Sequence, residues 1–401
     1  PLKHPMSRPL LGVLTDAAII IMHYIKSSMS LSRLMETGCM NFDFSEDQRR
    51  LQEEVARVLK DRSTSEEVRT VLDGIQPYSA SCWKELADLG ALGVSIPEAQ
   101  GGIGLTTLEL CLVAEEAGRV LLAAPLRSSI YLAAEALRRG GSPDQQAAWL
   151  PRLAIGDLIA TAAINVSGQQ AINAIQPRLE NGRLSGVMNA VPDGMVADIA
   201  LVLVDGHLAL IDLHTKGVTR TSQKSIDPTC PLAQLSFNDV ALDLLPCDGA
   251  AVARKAILGA SVLIAFEQVG GASRALQVAR DYVMERRTFG RQVGSYQAVK
   301  HKLAEIYSII ELARAHAYFG AWALATDAPE LERAAAAARV AATDAYNIAA
   351  EESLHLHGGI GFTWDMDCHL HLRRARWLGQ ILGSAHYWRD SLTSALIKEA
   401  N

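Results

Sequence analysis

The sequence predicts a mainly α-helical fold with a small β domain. The order is an N-terminal α-helical domain, a central β sandwich or barrel and a C-terminal four-helix bundle. Apolar residues make up 49% of the 401 residues and aromatic ones only 5%, which is typical of packed helices. Long apolar runs with helical spacing occupy both ends of the chain. Short runs between them are separated by Asn-Gly, Asp-Gly and Pro, which favours strands joined by turns.

Residues 1–39 are predicted to be an extension that is not part of the fold. The stretch 10–25 (LLGVLTDAAIIIMHYI) is apolar, but Asp16 interrupts it, and it is shorter than the roughly 18 residues that a membrane span needs. No clear cleavage site of small residues follows it, so a signal peptide is not indicated. The first domain is predicted to begin at Met40.

The N-terminal helical domain is predicted to span residues 40–158. Ser45 resembles a helix N-cap with Asp47 in the first turn, and apolar residues follow on one helical face. A second helix is predicted around Trp83 and ends at Gly90. After a glycine-rich loop, the run LELCLVAEEAGRVL predicts a third helix, and further apolar helical runs complete the domain.

The central domain is predicted to span residues 159–250. Its short runs include RLSGVMNAV, IALVLVDG, LALIDL and LAQLSFNDVAL, a spacing that is typical of small β sandwiches and barrels. Residues 251–401 return to four long apolar helical runs with short breaks, which predicts an up-down bundle. The last of these runs begins near Arg373 and continues to the C-terminus.

Charge and cysteine content argue against several classes of function. The formal net charge of -6 provides no overall basic field for holding nucleic acid. Six cysteines lie far apart without a CxxC pair, so we expect neither a zinc site nor a disulfide framework, and a reducing cytoplasm fits best. We also expect no metal site at four clustered histidines, because the i, i+2 spacing puts each pair on different helix faces. These are His355, His357, His369 and His371.

Two stretches of the bundle carry a pattern that suits a phosphate-bearing ligand. The first, at 282–305, is YVMERRTFGRQVGSYQAVKHKLAE, and the second, at 354–367, is LHLHGGIGFTWDMD. An arginine fork fits a pyrophosphate in a bidentate manner, and glycines let backbone N–H groups approach a phosphate where a Cβ would clash. Taken singly, each stretch also fits a simple turn beside a solvated helix end.

Together with the α, β, α order, these stretches resemble the acyl-CoA dehydrogenase family from Met40 to the C-terminus. The resemblance implies an FAD that lies between subunits of a tetramer. The side chains of the first stretch would contact the FAD of one subunit. The backbone of the glycine loop in the second stretch would contact the FAD of the neighbouring subunit. The residues implied to contact FAD are Arg286, Thr288, Phe289, Gln297, His355, Gly358, Gly359, Gly361 and Ser384.

The family reaction removes a proton from the carbon α to a thioester and transfers a hydride from the β carbon to the flavin. Members commonly supply the base as a glutamate in a Glu-Gly-Thr segment after the glycine loop. Here the matching positions are Leu382, Gly383 and Ser384. Leucine cannot accept a proton. The sequence therefore leaves the catalytic residue of this chain unknown.

Some family members carry the base on the first long helix of the bundle instead. The matching position here falls near Ala260, which is also unable to act as a base. Glu267, two turns further on, is the nearest acid. It is either a relocated base or, as we favour, a buried polar group of the helix or an interface contact.

A second departure from the family lies in the β domain. Family members usually show Thr-Glu followed by Gly-Ser-Asp here, and then a flavin-contacting segment such as Trp-Ile-Thr. The stretch AAINVSGQQ keeps only Ser167 and Gly168 of this pattern, and no tryptophan occurs between Trp149 and Trp322. Both departures resemble bacterial acyl-CoA dehydrogenases built from two different chains, of which one carries the base and the other completes the FAD site. Such heteromers are best known in steroid breakdown.

The resemblance thus implies a base-lacking subunit of an FAD-dependent acyl-CoA dehydrogenase. Its expected partners are a bulky acyl-CoA, a homologous subunit and an electron-transfer acceptor such as a flavoprotein, with no nucleic acid and no membrane. The alternatives are a self-sufficient enzyme with a relocated base and a non-catalytic relative. Arg373, Arg374 and Arg376 either face phosphates of FAD or CoA or lie on a solvated helix face.

Overall fold

The computed structural model describes residues 45–164 and 177–400 of the chain. The predicted extension at 1–39 lies outside the described residues. Ser167 and Gly168, on which the predicted departure in the β domain rests, also lie outside them.

Helices form the first part of the described chain. Local hydrogen bonds begin several of them: the Glu109 carboxylate accepts the backbone N–H of Thr106 at 2.9 Å, and the Gln145 side chain accepts that of Ser142 at the same distance. A π-helical segment, Arg127–Ala134, leads directly into an α-helix. The α-helices are α1 (Glu46–Arg62), α2 (Ser65–Leu72), α3 (Ala80–Asp88), α4 (Thr107–Arg119), α5 (Glu135–Gly140) and α6 (Pro143–Ala154).

Within the described residues, two four-stranded sheets follow and pack as a sandwich. Their strands are β1 (Ala160–Ala163), β2 (Arg178–Glu180), β3 (Arg183–Pro192), β4 (Ile199–Val204), β5 (His207–Asp212), β6 (Val218–Gln223), β7 (Leu232–Ala241) and β8 (Asp243–Leu244). One sheet has the order β1-β4-β5-β8, with β1 parallel to β4, and the other has the order β2-β3-β7-β6. The Asn181–Gly182 and Asp205–Gly206 pairs have positive φ at both positions, as tight hairpin turns require.

Four helices then form the C-terminal bundle. They are α7 (Gly249–Glu285), α8 (Gln297–Ala325), α9 (Leu331–Leu356) and α11 (Ala385–Ala400), with a shorter α10 (Cys368–Leu378) before the last. A two-residue hairpin, β9 (Arg287–Thr288) and β10 (Arg291–Gln292), lies between α7 and α8. The mainly helical fold with a small β part confirms the predicted fold class.

The last helical run differs from its prediction. The sequence predicts one helix from about Arg373 to the end, but the structure interrupts it between Leu378 and Ala385. Leu382 and Gly383 have φ values of +56° and +118°, which a right-handed helix does not contain. The prediction of a continuous helix was wrong. The spacing of apolar residues does not reveal that the backbone of Leu382 adopts a left-handed conformation.

One continuous core joins the three segments. Buried apolar residues extend without a break from Val55 on α1 through the sandwich to Trp388 on α11. Helix α7 is long and apolar enough to cross a membrane by length and composition, but 67% of its most apolar window is buried inside the fold. A core helix of a folded protein shows the same properties.

Candidate functional site

A cavity of about 420 Å³ lies between the β sandwich and the end of helix α10. Strands β1 and β3 form one side of it, and the segment 224–226 forms another. Trp377 and the turn that carries Leu382 close the third side. Its size is in the range of small-molecule sites.

Leu382 therefore lies in the wall of the cavity, at the position where the family resemblance implies a glutamate. Its side chain is 8% exposed, and its backbone is in the left-handed region, which bulky residues rarely adopt. Among the described residues that line this cavity, none is a carboxylate, histidine, cysteine or tyrosine. The described walls thus contain no group that accepts a proton at neutral pH.

The cavity does contain a cation and fixed polar groups. Lys224 lines it and has no ion-pair partner among the described residues. The Asn189 side-chain oxygen accepts hydrogen bonds from Gln223 at 3.1 Å and Gln234 at 2.8 Å, which hold its orientation. An ammonium group beside an apolar wall favours a ligand with negative charge next to an apolar ring or chain.

A buried ionic cluster lies behind this wall and joins all three segments. Arg374 of α10 donates to Asp227 of the β domain at 2.6 Å and to the Thr229 hydroxyl at 2.8 Å. Its other guanidinium N–H groups donate to the carbonyls of Leu121 and Leu122 at 3.2 and 3.1 Å. Because Asp227 directly follows Ile226, which lines the cavity, this cluster holds the cavity wall in place.

The three arginines considered for phosphate contact have separate environments. Arg374 is buried in the ion pair with Asp227, and Arg376 pairs with Glu351. Arg373 donates to the carbonyl of Ile226 at 3.1 Å. The structure thus uses Arg373 and Arg374 to position the segment that lines the cavity.

Glu267 belongs to the same cluster. Both of its carboxylate oxygens accept from Nε of Arg127, at 2.9 and 3.0 Å, and the Arg374 guanidinium lies 3.5 Å away. The side chain is 1% exposed and is not among the residues that line the cavity. A general base must reach the proton that it removes, so this geometry gives Glu267 a structural role. Ala260 is fully buried in the core.

The first of the two motifs forms a turn with exposed side chains. Phe289 and Gly290 have φ values of +49° and +79°, and the Phe289 side chain is 97% exposed. The backbone N–H of Val293 donates to the Arg286 carbonyl at 2.8 Å, while the Tyr296 hydroxyl donates to the Thr288 carbonyl at 3.2 Å.

The side chains of this turn point outward. The Arg286 side chain is exposed and has no partner among the described residues. Gln297 opens α8 and is also exposed. This turn therefore presents a cation and an aromatic ring to a ligand or to another chain.

The second motif is a 3₁₀ turn, Gly358–Phe362, at the end of α9. Gly358 has a φ of +63°, and open space lies where a Cβ would project from it or from Gly359. Gly361 faces inward, and a Cβ there would lie 2.5 Å from the Leu354 carbonyl oxygen. The absence of side chains at these two exposed glycines lets a ligand approach the backbone closely.

The structure brings the two motifs together. The ring of His357 stacks on Tyr282 of α7, with centroids 4.3 Å apart. Its Nδ1 donates to the Ser353 carbonyl at 2.7 Å, and its buried Nε2 has no partner among the described residues. His355 is exposed beside this contact. Ser384, in contrast, lies in the turn next to Leu382 at the cavity.

These residues fit a dinucleotide cofactor with a flat ring. The cavity supplies apolar walls and the Lys224 ammonium, and the motif turns supply Arg286 and the open glycine backbone. Exposed aromatic rings surround the motifs: Phe289, Phe362 and Trp364 are 97, 70 and 60% exposed. Such a patch is typical of a surface that another chain or a ligand covers.

Two family models match the chain. The acyl-CoA dehydrogenase N-terminal domain matches residues 45–157, and the acyl-CoA dehydrogenase C-terminal domain matches residues 247–397. The chain belongs to the acyl-CoA dehydrogenase family. This family of flavin-dependent oxidoreductases is the one that the two motifs indicate, so the resemblance in the sequence is confirmed.

Proteins similar to this chain include an acyl-CoA dehydrogenase and chains of two solved structures. The acyl-CoA dehydrogenase IpdE2 of Mycobacterium tuberculosis is 33% identical over 342 residues, which cover 84% of this chain and 94% of that protein. A variant of the Tcur3481-Tcur3483 steroid ACAD is 29% identical with a TM-score of 0.81, covering 88% of this chain and 99% of that chain. A chain of the ChsE4-ChsE5 complex from Mycobacterium tuberculosis is 28% identical with a TM-score of 0.82, and the match covers 90% of this chain and 99% of that chain.

Sequence reasoning missed three residues of this acyl-CoA dehydrogenase site. Arg127 is a cation within a long apolar stretch, which is a detectable signal for a buried ion pair. Asp227 lies in a Ser-x-Asp-x-Thr turn, where local hydrogen bonds were predictable but its pairing with a distant arginine was not. Lys224 left no signal, because single lysines in loops are usually solvated.

Proposed function

We propose that this chain binds FAD as the base-lacking subunit of a heteromeric acyl-CoA dehydrogenase. The observation that carries the proposal is the cavity wall, where hydrocarbon replaces the proton acceptor at Leu382. Removal of the α proton then requires a carboxylate from a second, homologous chain. FAD, when bound, accepts the hydride from the β carbon of the thioester.

The residues of this chain would hold the cofactor and exclude water. Arg286 would pair with the pyrophosphate, supported by Thr288, Phe289 and Gln297 on the same turn and helix start. The open backbone at Gly358 and Gly359, with Gly361 keeping the turn closed against α9, would approach a second phosphate position. His355 and Ser384 complete the proposed set of contacts.

Lys224 and the apolar wall would act on the reacting groups. The Lys224 ammonium would stabilise negative charge that develops in the cavity, and this effect is larger in a site with few competing waters. Leu382, Trp377 and Ile381 would exclude that water.

A bulky acyl-CoA is the substrate class that we propose, with a ring system such as a steroid. A steroid ACAD of two chains and a complex of two chains are among the similar structures, which supports both the substrate class and the heteromer. The assembly would be a tetramer that covers the exposed aromatic rings around Phe289 and Trp364. An electron-transfer flavoprotein would reoxidise the flavin.

We also propose a cytoplasmic location. All five cysteines within the described residues are free thiols, which supports a reducing compartment.

Co-expression tests the proposal. The gene for a homologous chain with an intact Glu-Gly-Thr segment should lie next to the gene for this one. We expect the two chains to purify together with bound flavin, as measured by absorbance and native mass. Purification of this chain without any homologous partner, in a yellow form that dehydrogenates acyl-CoA, would favour a self-sufficient enzyme. A colourless and inert protein with every partner would favour a non-catalytic relative.

A further inference from the structure

A second cavity, of about 530 Å³, lies where helices from both ends of the chain meet. Helices α1, α2 and α4 form one side of it, and α7 and the beginning of α10 form the other. It shares no lining residue with the cavity at Leu382. Nothing in the proposed dehydrogenase function uses this second cavity.

Two cations of this cavity have no carboxylate partner among the described residues. Arg274 of α7 is exposed and donates only to the side chain of Gln277, at 3.2 Å. Lys60 of α1 is exposed and makes no ion pair with a described residue. By contrast, Arg119 in the same wall is paired with Glu115 at 2.6 Å and Glu116 at 3.2 Å.

A buried histidine supplies a third donor. His371 is 5% exposed and lines the cavity, while its Nδ1 lies 3.0 Å from the hydroxyl of the fully buried Tyr346. That hydroxyl has no other partner among the described residues, so its proton must go to Nδ1 or remain unpaired at considerable cost. Nδ1 is then the acceptor, and the proton of the neutral ring is on Nε2.

His371 keeps this form over the physiological range. Burial and the charge of the nearby Arg274 guanidinium lower its pKa to about 3. The ring is therefore neutral, and its Nε2–H, which has no partner among the described residues, is a donor available to the cavity. Arg274, Lys60 and His371 together offer donors and positive charge without a matching acceptor.

The other lining residues restrict the charge and shape of a ligand. Glu116 and Asp367 also line the cavity, but Glu116 pairs with Arg119 at 3.2 Å and Asp367 pairs with Arg69 at 2.7 Å, so neither carboxylate is paired with Arg274 or Lys60. One carboxylate has two oxygens and can accept from both of these cations. One part of the remaining wall is apolar and includes Val68, Leu121 and Leu370, while another part carries the hydroxyls of Ser63, Thr64 and Ser65.

We infer that this cavity is a binding site for an amphipathic monocarboxylate, an apolar chain or ring with one carboxylate. The carboxylate accepts from Arg274, Lys60 and His371 Nε2, and the apolar part packs against the Val68 and Leu121 side of the cavity. The volume of the cavity suits a carboxylate with an apolar chain of medium length.

Calorimetric titration of the assembled protein with octanoate tests the site, with inorganic phosphate as the second probe. We expect saturable octanoate binding at one site per chain and much weaker binding of phosphate. Arg274→Met removes a charge-assisted contact from an exposed position and should weaken octanoate binding about tenfold or more. Arg280→Met, on the same helix and paired with Asp281, is the matched control and should leave binding unchanged.

An NMR measurement separates this site from the cavity at Leu382. Octanoate should shift the side-chain ¹⁵N resonance of His371, and this shift should disappear in Arg274→Met. Saturable binding that is equally tight in Arg274→Met would place octanoate elsewhere and overturn the inference. Absence of octanoate binding, or tight binding of phosphate in its place, would also overturn it.

Discussion

The Arg374 guanidinium donates to the Asp227 carboxylate at 2.6 Å, and both side chains are almost completely buried. This pair connects helix α10, which ends at the turn carrying Leu382, to the β-domain segment that lines the cavity. The Arg127–Glu267 pair lies beside it and connects the N-terminal helices to α7. The cavity is thus held by charges from all three segments.

Removal of one member of the first pair should be costly. Asp227→Asn removes the nearest carboxylate from the buried Arg374 and leaves Glu267 at 3.5 Å, which is already paired with Arg127. Breaking such a buried pair typically costs about 3 to 5 kcal/mol of unfolding free energy. Urea unfolding at pH 7 measures this cost. The matched control is Asp327→Asn, which breaks the exposed pair with Lys255 and should change stability little. Equal stability of the two variants would contradict the structural role of the cluster.

The same pair predicts a pH dependence. Burial raises the pKa of Asp227, but the charge of Arg374 and hydrogen bonds from Thr229 and Arg374 outweigh it, so the pKa is lowered overall. A lowered carboxyl pKa gives stability that is present above the unfolded value of about 3.9 and lost as the pH falls through the folded value. The stability difference between the native chain and Asp227→Asn should therefore shrink below about pH 4. Urea unfolding at several acidic pH values measures it, and a constant difference would count against the assignment.

Arg286→Ala should weaken FAD retention. The side chain is exposed and unpaired within the described residues, so the fold should tolerate the change, while loss of a charge-assisted contact lowers affinity at least about tenfold. Flavin absorbance per assembled complex after dialysis measures retention. Arg254→Ala, at the other end of α7, breaks an exposed pair with Glu332 and serves as the control. Unchanged flavin content in Arg286→Ala would contradict the proposed contact.

Leu382→Glu should place a proton acceptor in the cavity. The change keeps a side chain of similar length in the same left-handed position, at the wall of the cavity. We expect faster exchange of the α proton of a bound acyl-CoA with solvent deuterium, measured by NMR. Leu382→Gln, which is isosteric but not basic, should leave exchange at the level of the native chain. Equal exchange in both variants would show that the missing base is not the only difference from an active subunit.

The order of the segments was readable from the sequence because it depends on local signals. Apolar periodicity marked α7 and α9, and the Asn181–Gly182 and Asp205–Gly206 pairs marked hairpins. The motif turns were readable because their glycines and arginines follow one another in the chain. The ion pair of Arg127 with Glu267 joins residues far apart in sequence, so only the folded chain reveals it. The left-handed backbone conformation of Leu382 also could not be predicted, because glycine usually occupies such positions.

The central claim is that this chain cannot remove the α proton by itself, and anaerobic flavin reduction tests it most directly. The FAD-loaded chain is mixed with an acyl-CoA, alone and in complex with its base-bearing partner, and bleaching of the flavin absorbance is followed. We predict no bleaching by this chain alone. The complex should bleach, and it should lose this reaction when the glutamate of the partner's Glu-Gly-Thr segment is replaced. Rapid bleaching by this chain alone, undiminished in Glu267→Gln, would contradict the account.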